Sequence, residues 1–521
     1  MSLLLKIFCL VCAIGSNEPA RILAVYPVPS ISHQVVFRPL MQELAKRGHE
    51  VVVITADPAF PKGQSPQNLT EIDVHDLSYK IWNYFLETGK AQAHMTHTQV
   101  NIFLDMILNI FEAQIKSEEV QKLLNDKERS FDLLFVEFCV RPALIFAYRY
   151  NVPVIEFSSL GGVFGTFDGT GASTNFLLYP LPLRQRVYNL SLWEKISEVY
   201  NDYMIEKISD EHVNIENKIV RGVFGPKVPS LSELKKQVQL IFLNVNPIWD
   251  FNRPVPPNII YLGGIHQKPE KQLPEDLKNY LDSSKNGVIY MSFGTNARPS
   301  LLPAEKLKIF TNVFSQLPYD ILWKWDTDEP PARLENVKIS KWLPQSDLLR
   351  HPKIKLFITQ GGLQSTDEAL TAGIPLVVIP FLGDQWFNAE QYVKHNIGIQ
   401  LNLETITEDK LKNAIETIIQ DNTYRDNVVK LQLPTERTLW WIEYVLRHGG
   451  VIPLRSKTAH TALNGCYSVA DILMSLPAVI AAVIVTVFVV RSIPYFVQYL
   501  RKSVTFYRTP ERALSMRDSM K

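Results

Sequence analysis

Cysteine is scarce, with four residues in a chain of 521, and that scarcity excludes a disulfide framework. Cys9 and Cys12 fall in an opening apolar stretch, while Cys139 and Cys466 stand alone without the ligand spacing of a zinc site. Stability has to come from buried cores. An excess of either charge is missing too: 54 basic against 53 acidic residues leave a net of +1, so no global basic field exists to hold nucleic acid. No internal repeat of solenoid length is visible. With 46% apolar and 21% charged residues the chain is not largely disordered, and its length suggests two or three domains at ~150 residues each.

The ends indicate a compartment. Leu3 to Ala13 is apolar apart from Lys6, and Ala13 and Gly15 form a small-x-small pair. Residues 1–16 therefore read as a secretory signal peptide, the alternative being an N-terminal strand. Ile472 to Val490 carries no charge and as a helix measures about 28 Å against a hydrocarbon layer of ~30 Å, which predicts a transmembrane helix over 472–490. Arg491, Arg501, Lys502, Arg508, Arg512, Arg517 and Lys521 follow, against Glu511 and Asp518, so residues 491–521 read as a basic cytoplasmic tail. The rest is then lumenal or extracellular. The sequons Asn68-Leu69-Thr70 and Asn189-Leu190-Ser191 fit that side.

Between the ends, short apolar runs alternate with helical patterns, as in doubly wound parallel sheets. Ile22 to Tyr26, Val51 to Ile54, Leu133 to Val136 and Val152 to Phe157 read as strands, and Val36, Phe37, Leu40, Met41 and Leu44 as the apolar face of the first helix. The stretch Asn252-Arg253-Pro254-Val255-Pro256-Pro257 reads as a linker or surface excursion. It separates a domain over 17–250 from one over 251–455. In the latter, strands are expected at Val288 to Phe293, Ile321 to Trp325, Leu356 to Thr359 and Leu376 to Ile379. Two such lobes imply a cleft beyond the strand ends, able to hold two ligands against each other. Gly161 to Gly171, with five glycines and two phenylalanines, is either a mobile loop that wraps an apolar ligand or a flexible surface loop.

The most informative stretch runs Leu356-Phe357-Ile358-Thr359-Gln360-Gly361-Gly362-Leu363-Gln364-Ser365. A strand enters two glycines and then a helix, so free backbone N–H groups and the positive end of the helix dipole suit a diphosphate. Ser365 and Glu368 also spell a capping box, whose role is helix initiation alone.

The pieces Trp342-Leu343-Pro344-Gln345, Phe357-Ile358-Thr359-Gln360-Gly361-Gly362, Glu368-Ala369 and Pro380-Phe381-Leu382-Gly383-Asp384-Gln385, in this order, resemble the signature of the UDP-glycosyltransferases. The likeness extends to Ser32-His33, Leu262-Gly263-Gly264 and Ser292-Phe293-Gly294-Thr295. It is nearest the animal, membrane-bound branch that includes the UDP-glucuronosyltransferases, and Gln360-Gly361-Gly362-Leu363-Gln364-Ser365 resembles insect members. The resemblance implies an α/β GT-B fold, two Rossmann-like doubly wound domains facing across a cleft, plus the C-terminal transmembrane helix. It implies UDP-sugar as co-substrate and a small lipophilic hydroxyl compound as acceptor. No metal or other cofactor and no nucleic-acid partner is expected, and homo- or hetero-oligomers are compatible with it. Residence in the endoplasmic reticulum membrane follows by the same likeness, although Asp518-Ser519-Met520-Lys521 lacks the lysine pair of many retained relatives.

Site roles carry over by position. Trp342 would stack on uracil, a core aromatic being the alternative, and Gln345 would bond the uridine. Glu368 would hold the ribose hydroxyls. Ser292, Thr295, Gln360, Gln364 and Ser365 would contact the diphosphate, with Gly361 nearby. Most family members carry histidine at the position of Gln360 and many carry asparagine at that of Gln364; a glutamine amide still donates to a phosphate oxygen. Asp384 and Gln385 would bond the sugar, while Asp384 alone also reads as a helix N-cap.

Inverting transfer needs a base for the acceptor proton. His33 lies between the first strand and first helix, imidazoles titrate near neutrality, and the resemblance places the catalytic base here. Where the family has an aspartate to support the imidazole, this chain has Glu137; Asp132 is the fallback. His94 and His97 read as lining or surface residues. Asp326-Thr327-Asp328 spells the manganese motif of another glycosyltransferase fold, but Glu329-Pro330-Pro331 after it marks a solvated loop. The alternative function is a membrane-tethered binder of small lipophiles that keeps the fold without transfer. Glucose is favoured as the donor sugar, glucuronic acid being the other candidate.

Overall fold

The computed structural model describes residues 19–87, 96–163, 165–295, 297–431 and 469–506. The expected signal peptide, Cys9, Cys12, His94, Cys466 and the chain beyond Phe506 lie outside them. Two compact units are present, Met1–Thr461 and Ala462–Lys521.

Among the described residues, the first unit contains two wholly parallel sheets. One comprises β1 (Arg21–Tyr26), β2 (Glu50–Thr55), β3 (Leu69–Asp73), β4 (Leu133–Glu137), β5 (Val154–Ser158), β6 (Val238–Leu243) and β7 (Ile259–Tyr261) in the order β3-β2-β1-β4-β5-β6-β7. The other comprises β8 (Val288–Ser292), β9 (Asp320–Lys324), β10 (Val337–Ser340), β11 (Ile354–Thr359), β12 (Leu376–Val378) and β13 (Gly398–Gln400) in the order β10-β9-β8-β11-β12-β13. The central strands are apolar along their length because both faces are covered, as in β1, where Ile22 to Tyr26 are at most 1% exposed. Each sheet reverses its winding once, between β1 and β4 and between β8 and β11. Such reversals open a crevice at the carboxyl ends of the two strands. Four helices matter for the site: α1 (Ile31–Lys46) after β1, α2 (Thr96–Ile115), α3 (Leu363–Ala372) after β11, and α4 (Gln385–Lys394). In α1 the buried set includes Val36, Phe37, Leu40, Met41 and Leu44, the face read from periodicity.

Three expectations need correction. The first sheet does not end before the proline-rich stretch, because β7 beyond it pairs with β6. Nor is that stretch a free excursion: the buried Arg253 guanidinium bonds Asp250, Ser173 O and Tyr179 O and lies 3.9 Å over the Phe167 ring. The glycine-rich segment is packed, with Val163, Thr166, Phe167 and Thr170 buried; its small residues admit neighbours instead of conferring looseness.

The second unit contributes α5 (Val469–Phe506). Its stretch Val479–Leu500, of mean hydropathy 2.2, is long and apolar enough to cross a membrane. The helix does not stop at Val490, because a single charge at Arg491 followed by Ile493 to Leu500 does not end a helix. The first part of the expected tail is therefore helical.

Candidate active site

A cavity of about 760 Å3 is lined from the first sheet's end by His33 and Glu137, and from the second's by Thr295, Gln360, Gln364, Asp384 and Gln385. Its volume is that of a small-molecule site. Trp82, Phe85, Phe103, Met106 and Phe138 line it too, an apolar wall suited to a lipophilic ligand.

His33 sits in the first turn of α1, just past the bend that follows β1. Its Nδ1 lies 2.6 Å from Glu137 Oε1, and Glu137 Oε2 accepts the Val28 N–H at 3.2 Å. A carboxylate can only accept, so Nδ1 carries a proton and, in the neutral ring, Nε2 is the nitrogen with the lone pair. Glu137 is 1% exposed, which shields the pair from competing water. Asp132 stands at the other end of β4, bonded by the Arg21 N–H at 2.7 Å, so Glu137 is the imidazole's carboxylate. Cys139 also lines the cavity, but burial, then the Glu137 charge, push its thiol well above its ordinary range; it is no thiolate nucleophile.

At the other end, Gly294 and Gly361 have φ of +74° and +92°. A Cβ on Gly294 would lie 2.2 Å from Gln360 Nε2, and one on Gly361 2.8 Å from a Val378 methyl. Only glycine fits either position. The capping-box reading fails, because the N-cap of α3 is Gly362, which has no side chain to make the bond. Ser365 and Glu368 instead accept from Gln345 Nε2 at 3.0 and 2.8 Å, while Tyr290 OH donates to Gln345 Oε1 at 2.9 Å. Burial pushes the Glu368 carboxyl up to about 7 against the opposing Gln345 bond. Trp342 is 66% exposed, with Lys324 Nζ 4.8 Å over its ring, so it is not a core aromatic. Two expected diphosphate residues do not line the cavity: Ser292 is buried, its Oγ accepting the Gly294 N–H at 3.3 Å, and Gly361 presents its carbonyl to Asn388. Gln364 lines the cavity, yet its amide is committed to Ser159 O at 3.1 Å in the first lobe.

Asp384 precedes α4, but its side chain makes no capping bond to that helix; its carboxylate accepts Asn388 Nδ2 at 2.9 Å. Burial raises it to about 6, opposed first by that bond. The imidazole of one lobe and the carboxylate of the other thus line the same cavity. Gln385 Oε1 takes the N–H groups of Phe381 and Leu382 at 2.8 and 3.1 Å, so its free capacity is as a donor.

The family model "UDP-glucoronosyl and UDP-glucosyl transferase" matches residues 21–504. The chain belongs to the UDP-glycosyltransferase family. The ecdysteroid UDP-glucosyltransferase of Lymantria dispar multicapsid nuclear polyhedrosis virus is 34% identical over 496 residues, 92% of this chain and 97% of that protein. UDP-glycosyltransferase UGT5 of Dactylopius coccus is 28% identical over 494 residues, 90% and 91% of the two chains. Among solved structures, glycosyltransferase VinC in complex with dTDP superposes with a TM-score of 0.57 at 16% identity, covering 82% of this chain and 100% of that one. The likeness supports the GT-B fold and leaves function to the closer relatives.

Other motifs in this UDP-glycosyltransferase have local partners. Asp326 accepts from the Ser300 N–H at 3.0 Å and Asp328 from Lys341 at 2.8 Å. His97 Nδ1 is 3.0 Å from Asn201 Oδ1 in the first lobe. Sequence reasoning missed Lys324, His266 and Asn388. Lys324 donates to Gly294 O at 2.7 Å. His266 lies 3.3 Å from Gln364 O and 4.0 Å from Glu368 Oε1; burial lowers it to about 4, so it stays neutral beside that carboxylate. It follows Leu262-Gly263-Gly264, a segment that did carry a signal.

Proposed function

We propose that this enzyme is an inverting UDP-glycosyltransferase in which His33 is the general base, UDP-glucose the donor and a lipophilic hydroxyl compound the acceptor. The acceptor O–H approaches Nε2, which takes the proton as the oxygen bonds to the anomeric carbon. The bond from that carbon to the diphosphate oxygen breaks, and UDP leaves with the electron pair. Glu137 stabilises the imidazolium that forms. The observation that carries this reading is that the His33–Glu137 pair and Asp384 line one cavity from opposite lobes. The names of the viral relatives favour glucose and a steroid-sized acceptor, and the aromatic wall suits such a body.

No metal takes part in this scheme, and α5 anchors the enzyme as a single span with the catalytic unit lumenal in the endoplasmic reticulum. The deciding assay incubates the solubilised membrane fraction with radiolabelled UDP-glucose or UDP-glucuronate, a panel of steroid and phenolic acceptors, and EDTA. Label transfer from UDP-glucose that persists in EDTA is expected. Strict manganese dependence, preference for UDP-glucuronate, or activity confined to the soluble fraction would each remove the corresponding part.

Gln360 has a narrower test. With its Oε1 accepting from Thr359 at 3.1 Å, its remaining capacity is to donate to a phosphate oxygen. Gln360→Ala is expected to raise the donor KM or lower kcat by about tenfold, on the order of 1.4 kcal/mol. Unchanged donor kinetics would take Gln360 out of the site.

A further inference from the structure

The carboxylate at the sugar end is tied to the first lobe through one buried carboxamide. Asn388 Oδ1 accepts the Trp249 indole N–H at 3.1 Å, and its Nδ2 donates to Asp384 Oδ2 at 2.9 Å and to Gly361 O at 2.8 Å. Trp249 belongs to the turn Pro247–Asp250 that follows β6. Its ring stacks on His395 with centroids 5.6 Å apart, and its carbonyl accepts Gln391 Nε2 at 3.4 Å.

An indole N–H can only donate, so it admits only the oxygen edge of Asn388. That fixes the amide's orientation and turns both its N–H groups toward Asp384 and the Gly361 loop. With the indole N–H removed, the buried Asn388 Oδ1 loses its donor and the carboxamide its anchor to the first lobe, so that lobe no longer sets where the two N–H groups meet Asp384 and Gly361 O. Neither Trp249 nor Asn388 lines the cavity, so any effect on transfer passes through the groups they hold.

We propose that Trp249 and Asn388 are a positioning pair through which the first lobe sets the Asp384 carboxylate and the Gly361 loop, so that the donor sugar is oriented only while the lobes are engaged. This rests on the reading of Asp384 as a sugar ligand. Other bonds between the lobes, such as Tyr188 OH to Gln391 Oε1 at 2.7 Å and Val187 N–H to Glu390 Oε2 at 3.5 Å, end farther along α4.

The test is Trp249→Phe in the full-length enzyme, which keeps a stacking ring and removes one N–H. Transfer from saturating UDP-glucose should fall about tenfold, the scale of a charge-linked hydrogen bond, while the inhibition constant of UDP stays within about twofold. UDP lacks the sugar, so a merely structural lesion would weaken both ligands together. Equal weakening of UDP and UDP-glucose, or wild-type kcat, overturns the proposal. If Trp249→Phe does not fold, Asn388→Asp carries the same test: it keeps an acceptor for Trp249 but presents a carboxylate to Asp384, and the same split between UDP and UDP-glucose is expected. Absence of transfer from either UDP-sugar by the wild-type enzyme would instead remove the parent reading.

Discussion

His33→Ala should lower kcat by on the order of 10^3-fold, within the range of general-base contributions, with UDP affinity unchanged. The two readouts separate because the imidazole's hydrogen bond is to Glu137 in the first lobe, whereas the groups read as nucleotide ligands, Trp342, Gln345 and Glu368, all belong to the second. Glu137→Gln probes the same pair differently. An amide can offer Nδ1 a donor as readily as an acceptor, so the proton is no longer confined to Nδ1 and part of the population has Nε2 blocked. A loss of about 10^2-fold or more in kcat is expected there. Glu137→Asp should recover part of it, since the shorter side chain keeps the carboxylate but gives up reach over a contact of 2.6 Å. Transfer by His33→Ala at the wild-type rate would place the base elsewhere.

The parts of the fold legible in the sequence are those with an unbroken physical signal. Strands β1, β2, β4, β5, β8, β9, β11 and β12 include the buried runs that alternate with helices, and they lie in the interiors of the two sheets or next to them. Edge strands gave no such run: β3 buries only Leu69, β10 buries none of its residues, and β7 and β13 are three residues each. Strand β6 carried the ordinary signal in Leu240 to Leu243. The boundary between the lobes was misplaced because prolines mark where regular structure stops, and β7 resumes the same sheet after them. At the site, the roles of Gln345, Gln360, Glu368 and Asp384 came from the resemblance to the family's motifs, while local spacing alone offered a strand-Gly-Gly-helix turn suited to a diphosphate. It could not reach the bond from Trp249 to Asn388, which joins residues 139 apart, and no period of helix or strand encodes such a pair. Ser365 and Asp384 also fit ordinary capping patterns, and only the backbone angles and hydrogen bonds of Gly362 and Asp384 separate those roles.

Glu368 should make donor binding depend on pH in a direction that follows from its environment. Burial holds its carboxyl at about 7 in the ligand-free protein, well above an exposed glutamate. Ribose hydroxyls donate to the ionised form, so the bound protein has the lower pKa and binding releases a proton below about pH 7. Affinity for UDP-glucose, whose diphosphate does not titrate in this range, should therefore rise up to tenfold per pH unit toward 7 and level off above it. Calorimetry without acceptor measures this directly. Glu368→Gln should bind about 10^2-fold more weakly at pH 8, the scale of two hydrogen bonds to a charged group, and lose the slope; equal slopes in both proteins would exclude Glu368 as the ribose ligand. Stability runs the other way. A carboxyl whose folded pKa is raised binds more protons folded than unfolded, so its contribution to stability is present at low pH and lost as pH rises through about 7. The neighbouring Asp367, raised to about 8 by burial and then by the Glu368 charge, acts in the same sense. The ligand-free Tm should thus fall between pH 5 and 8, and UDP-glucose should restore most at the alkaline end, where the ionised Glu368 that costs the empty protein stability is the form the ribose requires.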